Sequence, residues 1–145
     1  MASTDAAPGR QPIRAGLLTA PLSELATVRL LGSRCEACGE TTLGESTTCP
    51  NCGSDAVLQL PLSRRGHLWT YTVVRHRPPG NYRGPDPFVP FALGLVELPE
   101  GLRVLAPIEA DITRLKIGAE VQLRAFVRGR DPDREVVSFA FETLG

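Results

Sequence analysis

Cys35-Glu36-Ala37-Cys38-Gly39, followed ten residues later by Cys49-Pro50-Asn51-Cys52-Gly53, holds every cysteine of the chain in one window. Each half places two thiols at one tight turn, and the glycine after the second thiol relieves the backbone there, so two facing turns complete a tetrahedral four-sulfur site. Two other uses of such a motif fit this chain less well. Disulfides need an oxidising compartment, and the N-terminal MASTDAAPGRQPIRAG has no apolar signal core, so the thiols are expected to stay reduced. A thioredoxin-like redox motif uses one C-x-x-C beside a βαβ unit, whereas here there are two and no such unit. The spacing therefore predicts structural Zn²⁺ on Cys35, Cys38, Cys49 and Cys52, one per chain, with iron of the rubredoxin kind as the rival metal. Four thiolates leave no coordination position for water or substrate, so the metal is expected to be structural.

The surrounding composition explains why a metal is needed. From Ser33 to Gly53 there is almost no large apolar side chain, and such a segment cannot fold on a core of its own. Upstream, the first dozen residues are rich in Ala, Pro, Ser and Thr and read as a flexible tail, with a short helical entry over Glu24–Leu31 capped by Ser23. Downstream of Pro61 the chain becomes five short strand-like runs: Gly66–Arg77, Phe88–Leu98, Arg103–Ala110, Glu120–Val127 and Glu135–Thr143. In Leu68–Val74 and Val121–Val127 the apolar residues alternate with period two, as a barrel wall requires. Ile112–Lys116 is long enough for one helical turn between the third and fourth strands, the arrangement of an OB-type Greek-key barrel; a five-stranded SH3-like barrel leaves a similar trace. The expected organisation is an all-β protein: a tail and helical entry (1–28), a rubredoxin-like zinc ribbon (29–60) and a five-stranded OB-type barrel (62–145).

At 145 residues, with 16 Lys+Arg against 16 Asp+Glu and formal net charge zero, the chain lacks the basic excess of a dedicated polyanion binder. No apolar run approaches the roughly 20 residues of a membrane span, so a cytoplasmic protein is expected. The charge is unevenly placed. Between Asp55 and Asp86 there is no acid, yet Arg64, Arg65, Arg75, Arg77 and Arg83 fall there. The densest part, Arg75-His76-Arg77-Pro78-Pro79-Gly80-Asn81-Tyr82-Arg83-Gly84-Pro85-Asp86-Pro87, joins three arginines and a tyrosine to four prolines. A stiff basic loop loses little entropy on docking a phosphate-bearing ligand or a partner protein.

Catalytic equipment is sparse. With the cysteines assigned to metal, the only histidines are His67 and His76, nine apart on one expected strand and hence on opposite faces. No nucleophile elbow, phosphate-binding loop or dinucleotide fingerprint is present. Of the aromatics, most of Trp69, Tyr71, Phe88, Phe91, Phe126, Phe139 and Phe141 are expected to alternate into the core, which argues against base stacking.

The ribbon with its lead-in Leu30-Leu31-Gly32-Ser33-Arg34, then Gly66–Val74, Pro90–Leu98, Gly101–Leu105 and Ile117–Val121, resembles the zinc-ribbon plus OB-fold proteins of the DUF35 group, which accompany thiolases and related acyl-CoA enzymes. The resemblance covers nearly everything after Leu30. It implies a non-catalytic accessory subunit in a hetero-oligomer with a thiolase-fold catalytic chain, supporting that partner's stability and the binding of CoA thioester. The chemistry, for example thiolysis of benzoylsuccinyl-CoA in aromatic degradation, would belong to the partner. On that reading Arg75, Arg77 and Arg83 pair with CoA phosphates while Tyr82 or His76 packs on the adenine, unless the same residues dock the partner itself. The alternative function is a single-stranded nucleic-acid-binding ribbon/OB module.

Overall fold

The computed structural model describes residues 9–80, 82, 84–130 and 132–144. Among the described residues nine strands follow in chain order: β1 (Arg10–Pro12), β2 (Leu31–Cys35), β3 (Thr41–Leu43), β4 (Val57–Pro61), β5 (Arg65–Val74), β6 (Phe91–Glu97), β7 (Arg103–Glu109), β8 (Glu120–Arg130) and β9 (Glu135–Thr143). No α-helix occurs among the described residues, and none of their helical segments is long and apolar enough to cross a membrane.

Strands β5, β6 and β7 form an antiparallel meander, β7 pairs in parallel with β9, β9 pairs antiparallel with β8, and β8 returns to β5. The sheet thus closes in the order first, second, third, fifth, fourth, which is the OB Greek-key barrel; the SH3-like alternative is set aside. Alternation accounts for the closure. In β6 Ala92 and Val96 point inward, in β7 Val104, Ala106 and Ile108, in β8 Val121, Leu123 and Ala125, all buried and all in one cluster with Leu68 and Phe141. Two bulges adjust the register, between Leu68 and Thr70 and between Val127 and Gly129. The first strand ends at Val74 rather than Arg77, and the fourth continues beyond Val127 to Arg130.

The ribbon is a three-stranded antiparallel sheet with β2 central between β3 and β4. Its root is seated on the barrel: Leu30 and Leu62, both fully buried, belong to the same core as Leu68 and Leu123. Arginine forks fasten the junction. Arg29 Nε donates to the Leu62 carbonyl at 2.7 Å, and Arg64 donates to the carbonyls of Val28 at 3.2 Å and Leu123 at 2.8 Å.

Residues 10–31 depart from the expected tail and helix. β1 pairs in parallel with β9, and Arg10 Nε holds Glu135 Oε1 at 2.9 Å while Nη1 donates to the Leu22 carbonyl. Leu17 and Leu18 are buried and Leu18 bridges Leu30. The helix expected over Glu24–Leu31 is one 3-10 turn, Leu25–Thr27, entered at Glu24 without a side-chain cap from Ser23. Val28 and Leu30 both enter the core, an alternation that only extended backbone satisfies, and β-branched Val28 favours it. Ile112–Lys116 is likewise a turn rather than a helix: Asp111 Oδ1 accepts from the Thr113 amide and hydroxyl, and the Arg114 amide bonds the Asp111 carbonyl.

Candidate metal centre and basic loop

The two cysteine turns are built alike. In the first, the Cys35 amide donates to the Glu40 carbonyl and the Gly39 amide to the Cys35 carbonyl; in the second, the Cys49 amide donates to Ser54 and the Gly53 amide to Cys49. Gly39 and Gly53 have φ of 82° and 79°, the left-handed region that a side chain would resist. Strand β2 delivers Cys35 to the site, and the turn after Ser46 delivers Cys49.

All four Sγ atoms lie within 4.8 Å of one another, with Cys35–Cys52 and Cys38–Cys49 at 3.6 Å. A tetrahedral zinc with Zn–S near 2.3 Å requires edges of about 3.8 Å, close to the two 3.6 Å pairs, so small adjustments of the thiol positions let the donor set hold that ion. Amide N–H groups point at the sulfurs: Asn51 and Cys52 at Cys49 Sγ, at 3.3 and 3.5 Å, and the Asn51 side chain at Cys38 Sγ, at 3.5 Å. These donors favour thiolate. The Asn51 side-chain amide first and the Glu40 backbone amide second bring the Cys38 thiol down to about 6. The Cys35 thiol is also lowered, chiefly by the Cys38 amide. At Cys52 the largest influence, the Ser54 amide, lowers the value, but Cys35, desolvation and the other two sulfurs together push it up to about 12. Four thiols crowded this closely cannot all ionise without a cation between them.

The basic loop is a different kind of surface. Arg75, His76 and Arg77 are exposed in the segment after β5. Tyr82 is half-buried: its ring stacks on Phe91 with centroids 6.1 Å apart and planes 10° apart, Phe88 tilts against it at 5.7 Å, and the Arg77 guanidinium lies 5.4 Å from its centroid. The structure thus brings Arg77 and Tyr82 together and commits the tyrosine face to Phe91. Arg83 lies outside the described residues. His67 and His76 do not share a strand: His67 sits in β5, with Nε2 4.0 Å from Glu120 Oε2, and His76 follows the strand end.

The aromatic residues also differ from expectation, since only Phe141 is fully buried. The bulge after Leu68 leaves Trp69 45% exposed, covered by the Arg103 guanidinium at 3.8 Å from the ring centroid. Tyr71 and Phe139 pack at the edge of the core, Tyr71 donating to the Leu115 carbonyl. Phe126 lies under Arg124, which grips Glu109 with both ends of its fork. A bulge of one residue reassigns faces without leaving a mark in the composition, which is why the alternation misled here.

Comparison with known proteins gives consistent results for both halves. Residues 23–57 match the family model described as "ChsH2, rubredoxin-like zinc ribbon domain", and residues 59–126 match "ChsH2, C-terminal OB-fold domain". The benzoylsuccinyl-CoA thiolase subunit BbsA of Thauera aromatica is 30% identical over 130 residues, covering 88% of this chain and 85% of that protein. A DUF35 domain-containing scaffold protein of Pyrococcus furiosus is 34% identical over 96 residues, 66% of this chain and 67% of its own length. Among solved structures, a chain of the "Ltp2-ChsH2(DUF35) aldolase" superposes with a TM-score of 0.60 at 28% identity, covering 79% of this chain and 84% of that one. With ribbon and barrel matched in the same order over residues 23–57 and 59–126, and a 30% identical relative aligned over 88% of the chain, this chain belongs to the ChsH2-type (DUF35) family of zinc-ribbon and OB-fold proteins.

Proposed function

We propose that this protein is a non-catalytic accessory subunit of an acyl-CoA-processing complex, bound in a hetero-oligomer to a thiolase-fold catalytic chain. The observation that carries the reading is the 30% identity, over 85% of its length, with a protein named as a thiolase subunit. Physical chemistry supports it: a four-thiolate zinc is coordinatively closed, so the ion serves as a staple rather than a Lewis acid. Claisen-type cleavage, with benzoylsuccinyl-CoA as one substrate of the right class, is the partner's chemistry in the cytoplasm.

The basic loop is this chain's contribution to the CoA thioester. Arg75 and Arg77, with Arg83, offer guanidinium forks to the CoA phosphates. His76 is the better neighbour for the adenine, because the face of Tyr82 is already stacked on Phe91. Purification from the native cell at low salt, with the bound chains identified, is expected to return a stoichiometric acyl-CoA enzyme, and substituting Arg75 or Arg77 by alanine is expected to raise the apparent KM of that complex for CoA thioester. Recovery of the chain alone or on nucleic acid would overturn the reading; unchanged kinetics in both variants would overturn the CoA contact.

A further inference from the structure

The outer face of β5, β6 and β7 carries apolar residues that the core does not use. Across the three strands the register sets Thr70 beside Leu95 beside Leu105, and the next rank sets Thr72 beside Leu93 beside Pro107. None of Leu93, Leu95 and Leu105 joins the hydrophobic core, and Leu105 is 64% exposed. Their inward neighbours Ala92, Val96, Val104 and Ala106 are buried, so β6 and β7 are apolar on both faces here. A shallow groove of about 350 Å³ runs between Thr70, Leu93, Leu95 and Leu105. A sheet face exposed to water usually alternates to polar residues; an aliphatic one marks a surface that is covered in use.

The ends of the face say what covers it. At one end Glu97 and Arg103 pair with each other at 3.4 Å, and Arg103 also covers Trp69, so this end is electrically neutral. At the other, where Val74 pairs with Phe91, the chain runs into exposed Arg75 and Arg77. A second copy of this chain, laid on the face, would bring either its own arginines or its neutral Glu97–Arg103 pair against that basic end, with only the exposed Asp86 to offset Arg75 and Arg77. Nucleic acid needs open rings, and here Trp69 is under Arg103 and Phe91 under Tyr82. An aliphatic centre with a basic end fits a protein surface with an apolar patch that carries anionic groups at one rim, which the CoA phosphates held by a catalytic chain would supply.

We propose that the outer face of β5–β6–β7, centred on Leu105 and Leu95 and bounded by Arg75 and Arg77, is the docking surface for the catalytic subunit. This rests on the accessory-subunit reading and adds where the partner sits.

The test uses the full zinc-loaded chain and the catalytic chain that co-purifies with it, separated and recombined. Leu105→Glu and Pro107→Glu, at two exposed positions on the face, are each expected to weaken the complex at least tenfold. Ile117→Glu, equally exposed but on the connection before β8, is expected to leave affinity unchanged. Equal zinc content and thermal unfolding in all three variants excludes misfolding as the cause. Unaltered affinity in both face variants would overturn the docking surface while leaving the accessory role standing. A wild-type chain that binds no catalytic subunit overturns the accessory role and the docking surface with it. A homodimer of wild-type chain that Leu105→Glu dissolves would overturn the choice of partner.

Discussion

Replacing Ser33 by alanine removes a single oxygen from the middle of the ribbon and leaves every cysteine in place. Ser33 is 2% exposed. Its hydroxyl donates to the Gly44 carbonyl at 2.7 Å and accepts from the Ser46 amide at 2.9 Å, so one atom ties β2 to the loop that leads to the second cysteine turn. Gly44 is itself buried, and in the variant its carbonyl has no replacement donor. Two net hydrogen bonds at about 1 kcal/mol each put the loss near 2 kcal/mol, within the usual cost of leaving one buried polar group unpaired. In a ribbon with so little core, folding and metal binding are one equilibrium, so this loss is read as metal affinity. At about 1.4 kcal/mol per decade, the apparent zinc affinity falls about 30-fold. Competition against a chromophoric chelator at neutral pH measures it directly, with Ser46→Ala as the control, since that hydroxyl bonds only the Thr48 carbonyl and the Thr48 amide at an exposed position. An affinity for Ser33→Ala within threefold of wild type would refute the coupling between the ribbon's polar core and its metal.

Thr41 makes the opposite prediction from the neighbouring strand: its hydroxyl is buried without a partner, so Thr41→Val is expected to be neutral or to stabilise by about 1 kcal/mol in chemical denaturation. On the barrel, a Cβ added at Gly94 would fall 2.6 Å from Leu68 Cδ1 and 2.8 Å from Ile108 Cγ1, so Gly94→Val is expected to cost about 1–3 kcal/mol through overpacking and to lower the melting temperature without affecting zinc content. In the turn before β8, the Thr113 hydroxyl first and the Thr113 amide second hold the Asp111 carboxyl below its ordinary value. A depressed carboxylate stabilises the fold above its unfolded pKa of about 3.9 and ceases to as pH falls through the folded value, so the melting-temperature gap between wild type and Asp111→Asn is expected to be widest near neutrality and to close in acid.

Much of this architecture was legible because two signals are local. The cysteine turns declare themselves by spacing, since any two C-x-x-C-G turns brought face to face must present four sulfurs to one point. The barrel strands declare themselves by alternation, and Val121-x-Leu123-x-Ala125 is a plain case. What was not legible depends on pairing at long range. β1 exists because Arg10 meets Glu135, 125 residues away, and nothing near Arg10 announces that edge. The helix expected before the ribbon fails because Leu30 and Val28 are claimed by the barrel core, a tertiary demand that overrides local pattern. The basic loop was visible as a composition, but the stacking of Tyr82 on Phe91 was not, since it needs the loop folded back on β6. The outer face of β5–β6–β7 was hidden for a related reason: Leu93, Leu95 and Leu105 look like core residues in sequence, and only the inward burial of Ala92, Val96 and Val104 shows that they are not.

The central claim, an accessory subunit without chemistry of its own, is tested most directly by turnover of a CoA thioester with three samples: this chain alone, the co-purified catalytic chain alone, and the two recombined. The account predicts no turnover by this chain, and a recombined rate well above that of the catalytic chain by itself. Turnover by the isolated chain, or a catalytic rate indifferent to its presence, would contradict it.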